Sequence, residues 1–210
     1  MKVFGIDTTR KKARVFLVDS ASEEIASLAL NDSVKHSEGL FLYIEKFLMD
    51  KGIVLNDIDC FACVTGPGSF TGIRVGMATI MGLNKALKKS VIAMNMFEIL
   101  SLATKKGFIV LNCTNSSCYY AKVNKGIIED CGVVQKDEIH NLVKDEQLIS
   151  LGEEQDIIGV AYDNCKTIDS LDDLYMGVVL DRLNAGNYGD FQPYYLQLSQ
   201  AERTMTDDKK

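Results

Sequence analysis

The sequence predicts an α/β protein made of two consecutive halves, the second a reduced copy of the first. Short apolar runs of strand length alternate with amphipathic stretches of helix length, and a similar order of runs begins again near Lys105. The chain has 210 residues, of which 47% are hydrophobic and 25% charged, with only two prolines. This composition is typical of a globular protein and excludes the disordered, collagen-like and low-complexity classes.

The first half, residues 1–104, has the element order βββαβαβα. A helical pattern over residues 37–51 ends at Gly52, and a second helix follows a glycine-rich loop and reaches Leu87. Apolar runs bounded by turn residues predict five strands, at residues 2–7, 13–19, 23–30, 59–65 and 90–95.

The second half, residues 105–200, repeats the opening in a degraded form. A short helix is predicted at 137–144 and an amphipathic helix at 170–184, which Gly186 stops. Strands are predicted at residues 107–113, 118–123, 126–134 and 156–161. The polar residues 201–210 are expected to form a disordered tail.

The charge of the chain limits its partners. The net charge is −6, and no run of basic residues forms a patch for phosphate backbones, so direct and tight nucleic-acid binding is disfavoured. Charges interrupt every apolar stretch and no signal peptide opens the chain, so we expect no membrane association and a cytoplasmic location.

The cysteines and histidines offer no metal site. Cys60 and Cys63 lie three residues apart in a predicted strand and therefore point to opposite faces. His36 has Leu40 four residues later, where a second helical ligand would be needed. We expect free thiols, no bound metal and, since no nucleophile and base set is present, no catalytic residues.

The segment TGPGSFTGIRVG, residues 65–76, joins a strand to a helix through three glycines. It is not a Walker loop because no lysine follows within it. Two interpretations stay open: the glycines allow close helix packing, or the helix start and the polar end of the first strand bind an anion. The candidate nucleotide- or anion-binding residues are Asp7, Thr8, Thr9, Gly66, Gly68, Ser69 and Gly72.

Two predicted helices carry more apolar residues than one sheet face needs. In the first helix Phe41, Ile44 and Leu48 are sufficient for a core, which leaves an apolar surplus beside charged residues. Such surplus faces predict a protein partner, although burial by the second half is the alternative. The candidate interface residues are Leu40, Tyr43, Phe47, Arg74, Met77, Ala78, Met81 and Lys85.

The segments FGIDTT, KHSEGL, TGPGSFTGIRVG and PYYLQLSQAE together resemble the TsaB (YeaZ) family. The resemblance implies two actin-like (ribonuclease H-like) halves, the second reduced, in a noncatalytic relative of TsaD. It further implies that the chain forms a heterodimer with TsaD through the two N-terminal helices, with ATP or ADP near that interface. It also implies that the ATPase subunit TsaE is a partner, and that tRNA is contacted only through the complex. For the isolated chain, a monomer and a homodimer both stay open.

Two positions depart from the family pattern. The chain has Asn112, Cys113 and Thr114 where the family usually has Asp-Ala-Arg, and Gln197 where an arginine is common. Loss of the acid argues against ATP hydrolysis by this chain alone. The alternative function is an autonomous small kinase or ATPase of the same fold.

Overall fold

The fold is seen in a computed structural model that describes residues 1–30, 36–154 and 164–197. The described strands are β1 (Lys2–Asp7), β2 (Arg14–Asp19), β3 (Glu24–Ala29), β4 (Cys60–Val64), β5 (Ser90–Met94), β6 (Lys106–Asn112), β7 (Ser117–Asn124), β8 (Ile127–Gln135), β9 (Leu148–Leu151) and β10 (Cys165–Ile168). The described α-helices are α1 (His36–Asp50), α2 (Phe70–Leu87), α3 (Met96–Ser101), α4 (Ile139–Val143) and α5 (Asp172–Ala185).

The strands form two five-stranded sheets with the same topology. The first sheet has the order β3-β2-β1-β4-β5, and the second has the order β8-β7-β6-β9-β10. In each sheet the three hairpin-linked strands are antiparallel and the remaining strands are parallel to the central one. The predicted α/β class with a repeated opening is confirmed.

Three apolar clusters divide the molecule into layers. The largest lies between the two sheets and includes α3 and α5, while α1 and α2 cover the outer face of the first sheet and α4 the outer face of the second. The helices between the sheets are exchanged: α5, from the second half, contacts β2, β3 and β5, and α3, from the first half, contacts β6 and β8. Each half therefore completes the core of the other.

Most predicted elements are confirmed with ends shifted by one or two residues. Two described strands, β9 and β10, are absent from the prediction, because each has only four residues and carries too little periodicity to be recognised. The predicted strand at 156–161 and the predicted tail at 201–210 lie outside the described residues. Among the described residues, no helix is both long and apolar enough to cross a bilayer.

Candidate functional site

Asp7 ends β1 and is fully buried. Its Oδ1 atom accepts hydrogen bonds from the backbone N–H of Thr9 at 2.8 Å and from the Thr9 hydroxyl at 2.7 Å. Its Oδ2 atom accepts from the hydroxyl of Tyr175, in α5, at 2.7 Å. Burial, and then the Asp7 charge, raise the pKa of Tyr175 well above its ordinary value, so this hydroxyl remains a donor. Protein groups therefore engage both carboxylate oxygens.

The glycine-rich loop packs directly on the turn that follows Asp7. A Cβ atom at Gly72 would lie 1.9 Å from the carbonyl oxygen of Thr8, and one at Gly68 would lie 2.3 Å from that of Thr9. The Ser69 N–H donates to the Thr9 carbonyl at 2.9 Å, and the Thr8 hydroxyl donates to the Gly72 carbonyl at 2.6 Å. Close backbone packing therefore explains both glycines without a ligand.

Gly66 has a different requirement. Its φ is +132°, and a Cβ atom there would lie 2.4 Å from the carbonyl oxygen of Tyr194. The Tyr194 N–H also donates to the Thr65 carbonyl at 2.9 Å, so the C-terminal segment is attached to the start of this loop. Of the seven candidate anion-binding residues, Thr9, Gly68 and Ser69 line the cleft described next, whereas Asp7, Thr8, Gly66 and Gly72 lie behind it.

A cleft of about 460 Å³ opens between the two halves. Arg10, only 5% exposed, spans it: Nη1 donates to the carbonyl of Asn112 and to Glu154 Oε1, both at 3.0 Å, and Nη2 donates to the Pro67 carbonyl. The other Glu154 oxygen accepts from the Asn112 N–H at 2.7 Å. The residues that line the cleft are Thr9, Arg10, Lys11, Lys12, Gly68, Ser69, Asn112, Cys113, Glu153 and Glu154.

Sequence reasoning missed Arg10 and Glu154. Arg10 lies in a polar turn that looked exposed, and the two residues are separated by 144 positions, so no local pattern could pair them. The only available signal was the single arginine immediately after the Asp7-Thr8-Thr9 turn.

The cleft residues do not fit a metal-bound nucleotide. Asp7, the acid that would contact a metal or phosphate in a nucleotide site, has both oxygens engaged by Thr9 and Tyr175. The lining residues include no aromatic or large aliphatic side chain on which a base could stack. The described residues also contain no group of three or more His, Cys, Asp or Glu side chains arranged to hold a metal ion.

The apolar surplus on α1 is present, but on a different face from the predicted one. Leu40 and Phe47 are buried, at 1% and 3% exposure, and Tyr43 is half-buried, whereas Phe41 is 58% exposed. The expectation that Leu40 and Phe47 lie outside the core is wrong, and so is the assignment of Phe41 to the core. The buried stripe is Leu40, Ile44, Phe47 and Leu48, so the predicted stripe was displaced by one residue around the helix. The exposed large apolar residues of α1 are Phe41, Leu42 and Met49.

The prediction for α2 is more accurate. Ala78, Met81, Lys85 and Arg74 are exposed along one stripe, as expected, but Met77 is buried at 8% exposure and its predicted place on the surface is wrong. Met77 packs with Ile73 and Ile80 in the apolar cluster under α1 and α2, and not on the exposed face that carries Arg74. The interface role of the exposed residues stays a prediction.

Arg74 is the residue of that stripe that contacts the C-terminal segment. Its guanidinium lies 6.0 Å from the centre of the Phe70 ring and 5.9 Å from that of Tyr195. Its Nε donates to the Tyr195 hydroxyl at 3.1 Å, and the two rings stack at 4.5 Å. The C-terminal segment therefore fixes the orientation of an exposed arginine at the start of α2.

The described cysteines are free thiols. Cys60 faces the cluster between the sheets and Cys63 the cluster under α1 and α2, which confirms that they point to opposite faces. Burial raises the pKa of Cys60 and of Cys118 to about 11, and it raises that of Cys63 further. These three thiols are therefore unreactive at neutral pH.

The family model described as TsaD: tRNA N6-adenosine threonylcarbamoyltransferase matches residues 31–197 of the chain. The tRNA threonylcarbamoyladenosine biosynthesis protein TsaB of Buchnera aphidicola subsp. Schizaphis graminum is 34% identical over 99 residues, which are 47% of this chain and 46% of that protein. The tRNA N6-adenosine threonylcarbamoyltransferase of Brachyspira hyodysenteriae is 29% identical over 111 residues, 45% of this chain and 32% of that protein. The matched part thus spans less than half the length of these curated relatives.

Among solved structures, an uncharacterized Pseudomonas aeruginosa protein with similarity to peptidase YeaZ superposes with a TM-score of 0.71 at 17% identity, covering 93% of this chain and 99% of that one. YeaZ from Pseudomonas aeruginosa gives a TM-score of 0.70 at 16% identity, with the same coverage. At these identities the likeness concerns the fold alone. The predicted fold class, with its reduced second half, is the fold of these proteins.

Proposed function

Because the chain belongs to the TsaD family, in its actin-like TsaB (YeaZ) branch, we propose that it takes part in threonylcarbamoyladenosine formation in tRNA as a noncatalytic partner of TsaD. The observation that carries this proposal is the exposed apolar surface of α1 and α2. Phe41, Leu42, Met49 and Met81 are each more than half exposed on two neighbouring helices. Large apolar residues exposed on adjoining helices are typical of a surface that a protein partner covers.

The arrangement around Asp7 supports a noncatalytic role. An acid that assists phosphoryl transfer holds a metal ion beside the phosphates, whereas Asp7 is fully buried, does not line the cleft, and accepts hydrogen bonds from Thr9 and Tyr175. At the matching strand end of the second half, Asn112 provides no acid, and Arg10 and Glu154 join the halves there.

The partner surface has an anchor as well as apolar area. Arginine and aromatic residues are enriched where binding energy concentrates in protein interfaces, and Arg74 with Phe70 and Tyr195 forms such a group. Its remaining Nη groups would contact a carboxylate on the partner, next to the apolar contacts of Ala78 and Met81. We propose that TsaD contributes that surface, and that a second copy of this chain occupies it when TsaD is absent.

We propose that ATP or ADP, where the assembly binds it, lies near this interface rather than in the cleft, and that the ATPase subunit TsaE joins the same assembly. The supporting observation is the engagement of Asp7 described above. Calorimetric titration of ADP into the chain alone and into its mixture with TsaD tests the placement. Binding to the chain alone, abolished by Thr9→Ala, would contradict it.

Met81→Asp tests the partner surface. A carboxylate buried without a partner in the interface should weaken the complex with TsaD on the order of a thousandfold. Ile127→Asp is the matched control because Ile127 is similarly exposed, 68% against 59% for Met81, but lies on the second half. Size-exclusion chromatography of each variant mixed with TsaD is the measurement. An undiminished complex with Met81→Asp would refute the assignment.

One observation favours the alternative function, an autonomous small kinase or ATPase: the cleft between the halves has the volume of a ligand site. Phosphate release from ATP by the purified chain separates the two proposals. We expect no release above buffer. Release that Arg10→Met alters, in a preparation free of TsaD, would favour the enzyme.

A further inference from the structure

A second groove, of about 620 Å³, lies where β6 begins and β7 ends, on the second half. Three of its lining residues are lysines, Lys105, Lys106 and Lys125, and none is acidic. In a chain with 29 acidic and 23 basic residues, a groove wall of this kind is a local reversal of charge. Folding brings the adjacent Lys105 and Lys106 next to Lys125, so lysines gather here although the sequence contains no basic run.

The backbone holds these lysines in place. The Gly126 N–H donates to the carbonyl of Lys105 at 3.0 Å, so the β7–β8 turn that presents Lys125 is attached to the start of β6. Lys106 is paired with Asn124 in the sheet register. Lys166, on β10, approaches the same edge and its Nζ donates to the Ala103 carbonyl at 2.9 Å. Lys105, Lys106 and Lys125 therefore lie at one end of the second sheet, and the Lys166 ammonium group lies nearby on the Ala103 carbonyl.

Acidic neighbours do not neutralise the patch. Glu146 lies 3.8 Å from Lys106, whose side chain is 70% exposed, and an exposed pair at this distance is weak. Glu129 accepts a hydrogen bond from the Asn124 side chain at 2.7 Å. No salt bridge joins Lys105 or Lys125 to an acid in the part of the chain that the structure describes. Of the three lysines that line the groove, Lys106 is the one with a salt bridge in the described part of the chain.

We infer that this groove binds the phosphate backbone of RNA, an inference that rests on the proposed function because tRNA is the substrate proposed for the assembly. Lysine ammonium groups contact phosphates as point charges, and each contact releases counterions from the RNA. The lining residues include neither arginine nor an aromatic ring, the groups that read or stack on bases. The contact therefore positions the RNA and does not read its base sequence.

An acidic protein surface is the competing occupant. Protein interfaces are depleted of lysine in their buried centre, because a flexible and strongly hydrated ammonium group is costly to desolvate. At this groove Lys105, Lys106 and Lys125 are all exposed, with Leu102 as the exposed apolar neighbour. Phosphates, which remain partly hydrated when bound, fit such a surface better.

The experiment measures the affinity of the purified chain, alone and mixed with TsaD, for a fluorescent tRNA transcript at several salt concentrations. The test variant carries Lys105→Gln, Lys106→Gln and Lys125→Gln. The control carries Lys51→Gln, Lys88→Gln and Lys89→Gln, which remove the same charge from the first half. We expect the test variant to bind about tenfold more weakly at low salt and its log–log salt slope to fall by about 2 to 3, at roughly 0.7 to 0.9 per lost phosphate contact. The control should change neither quantity appreciably.

Equal losses in the two variants, or no loss in the test variant, would overturn the inference. So would displacement of tRNA by poly-L-glutamate at matched charge, which would identify an acidic protein as the better occupant. Size-exclusion chromatography with TsaD separates this test from that of the proposed function, because the triple variant leaves α1 and α2 untouched. If the wild-type chain does not bind TsaD, but the triple substitution weakens tRNA binding, the partner proposal alone is refuted.

Discussion

The two sheets have identical strand order, yet the helices on their outer faces differ greatly. Among the residues that the structure describes, the first sheet is covered on its outer face by α1 and α2, of 15 and 18 residues, and the second by α4, of five. The strand order is thus the same in both halves, while the described outer helices differ in length. Of these outer helices, α1 and α2 are long enough to cover a sheet with one face and present an apolar surface with the other.

The turns after the first strand of each half differ in the same direction. Asp7, Thr8, Thr9 and Arg10 are all 5% exposed or less, and the glycine-rich loop packs on them. In the turn after β6, the hydroxyls of Thr114 and Ser117 share a 2.7 Å hydrogen bond, but Thr114 is only half-buried and Asn115 and Ser116 are exposed. Structural specificity is therefore concentrated in the first half, and substitutions there should have the larger effects.

The largest effect is expected at the loop. Gly72→Val should lower the free energy of unfolding by about 5 kcal/mol, because the backbone carbonyl of Thr8 occupies the position of its side chain. Gly82→Val, in the same helix, is the matched control since no atom lies within 4 Å of its Cβ position, and it should change stability by less than about 0.5 kcal/mol. Urea denaturation measures both. Equal stability of the two variants would contradict the packing role of the loop.

The connection between the halves comes next. Arg10→Met should cost about 4 kcal/mol, because it leaves the buried Glu154 carboxylate without its cation. Lys106→Met, which removes the exposed pair with Glu146 in the second half, should cost less than about 0.5 kcal/mol. The measurement is again chemical denaturation. A small loss for Arg10→Met would mean that the halves are held together by apolar contacts alone.

Tyr175→Phe should cost about 2 kcal/mol, since it removes a donor from the buried Asp7 carboxylate, while Tyr120→Phe, at an exposed bond to Asp130, should cost much less. Because the pKa of Tyr175 is raised in the folded state, its contribution is complete below about pH 10, the ordinary tyrosine value, and is lost as the pH rises above it. Between pH 8 and pH 11 the melting temperature should therefore fall more steeply with pH for the wild type than for Tyr175→Phe. Parallel pH profiles would contradict the assignment.

The smallest effect concerns thiol reactivity and changes no stability. Cys60 and Cys63 of the first half are buried, whereas Cys113, Cys131 and Cys165 of the second are partly exposed. At pH 8 a thiol reagent should therefore modify second-half cysteines first, since the pKa of Cys60 is raised to about 11. Peptide mapping after brief labelling identifies the sites. Early modification of Cys63 would indicate that the first sheet opens readily.

The sequence predicts well what depends on local pattern. The hairpin-linked strands, the helix that follows the glycine-rich loop and reaches Leu87, and the stop of α5 at Gly186 all follow from alternation and from turn residues, and all are confirmed. The displaced stripe on α1 shows the limit of this reasoning. In a helix with Phe41, Leu42 and Met49 besides its core residues, periodicity alone does not identify which apolar face is buried.

The candidate site depends on long-range contacts and was predicted only in part. The sequence indicated the loop and Asp7, but the donor that occupies the Asp7 Oδ2 atom is Tyr175, 168 positions away. The role of Arg10 depends equally on Glu154. The lysine groove forms only when the β7–β8 turn meets the start of β6. Single-residue chemistry was visible in the sequence, whereas these pairings are set by the packing of the two sheets.

The exchange of α3 and α5 between the halves has a consequence for biosynthesis. All five strands of the first sheet leave the ribosome before α5 exists, and the inner face of that sheet, where Phe16 stacks on Tyr175 at 4.5 Å, then has no cover. At roughly 5 to 20 residues per second, translation needs on the order of ten seconds or more to progress from β1 to α5. During this interval the nascent chain exposes an aggregation-prone apolar surface. Its yield in the cell should therefore depend on holdase chaperones more than the yield of a protein whose halves fold independently.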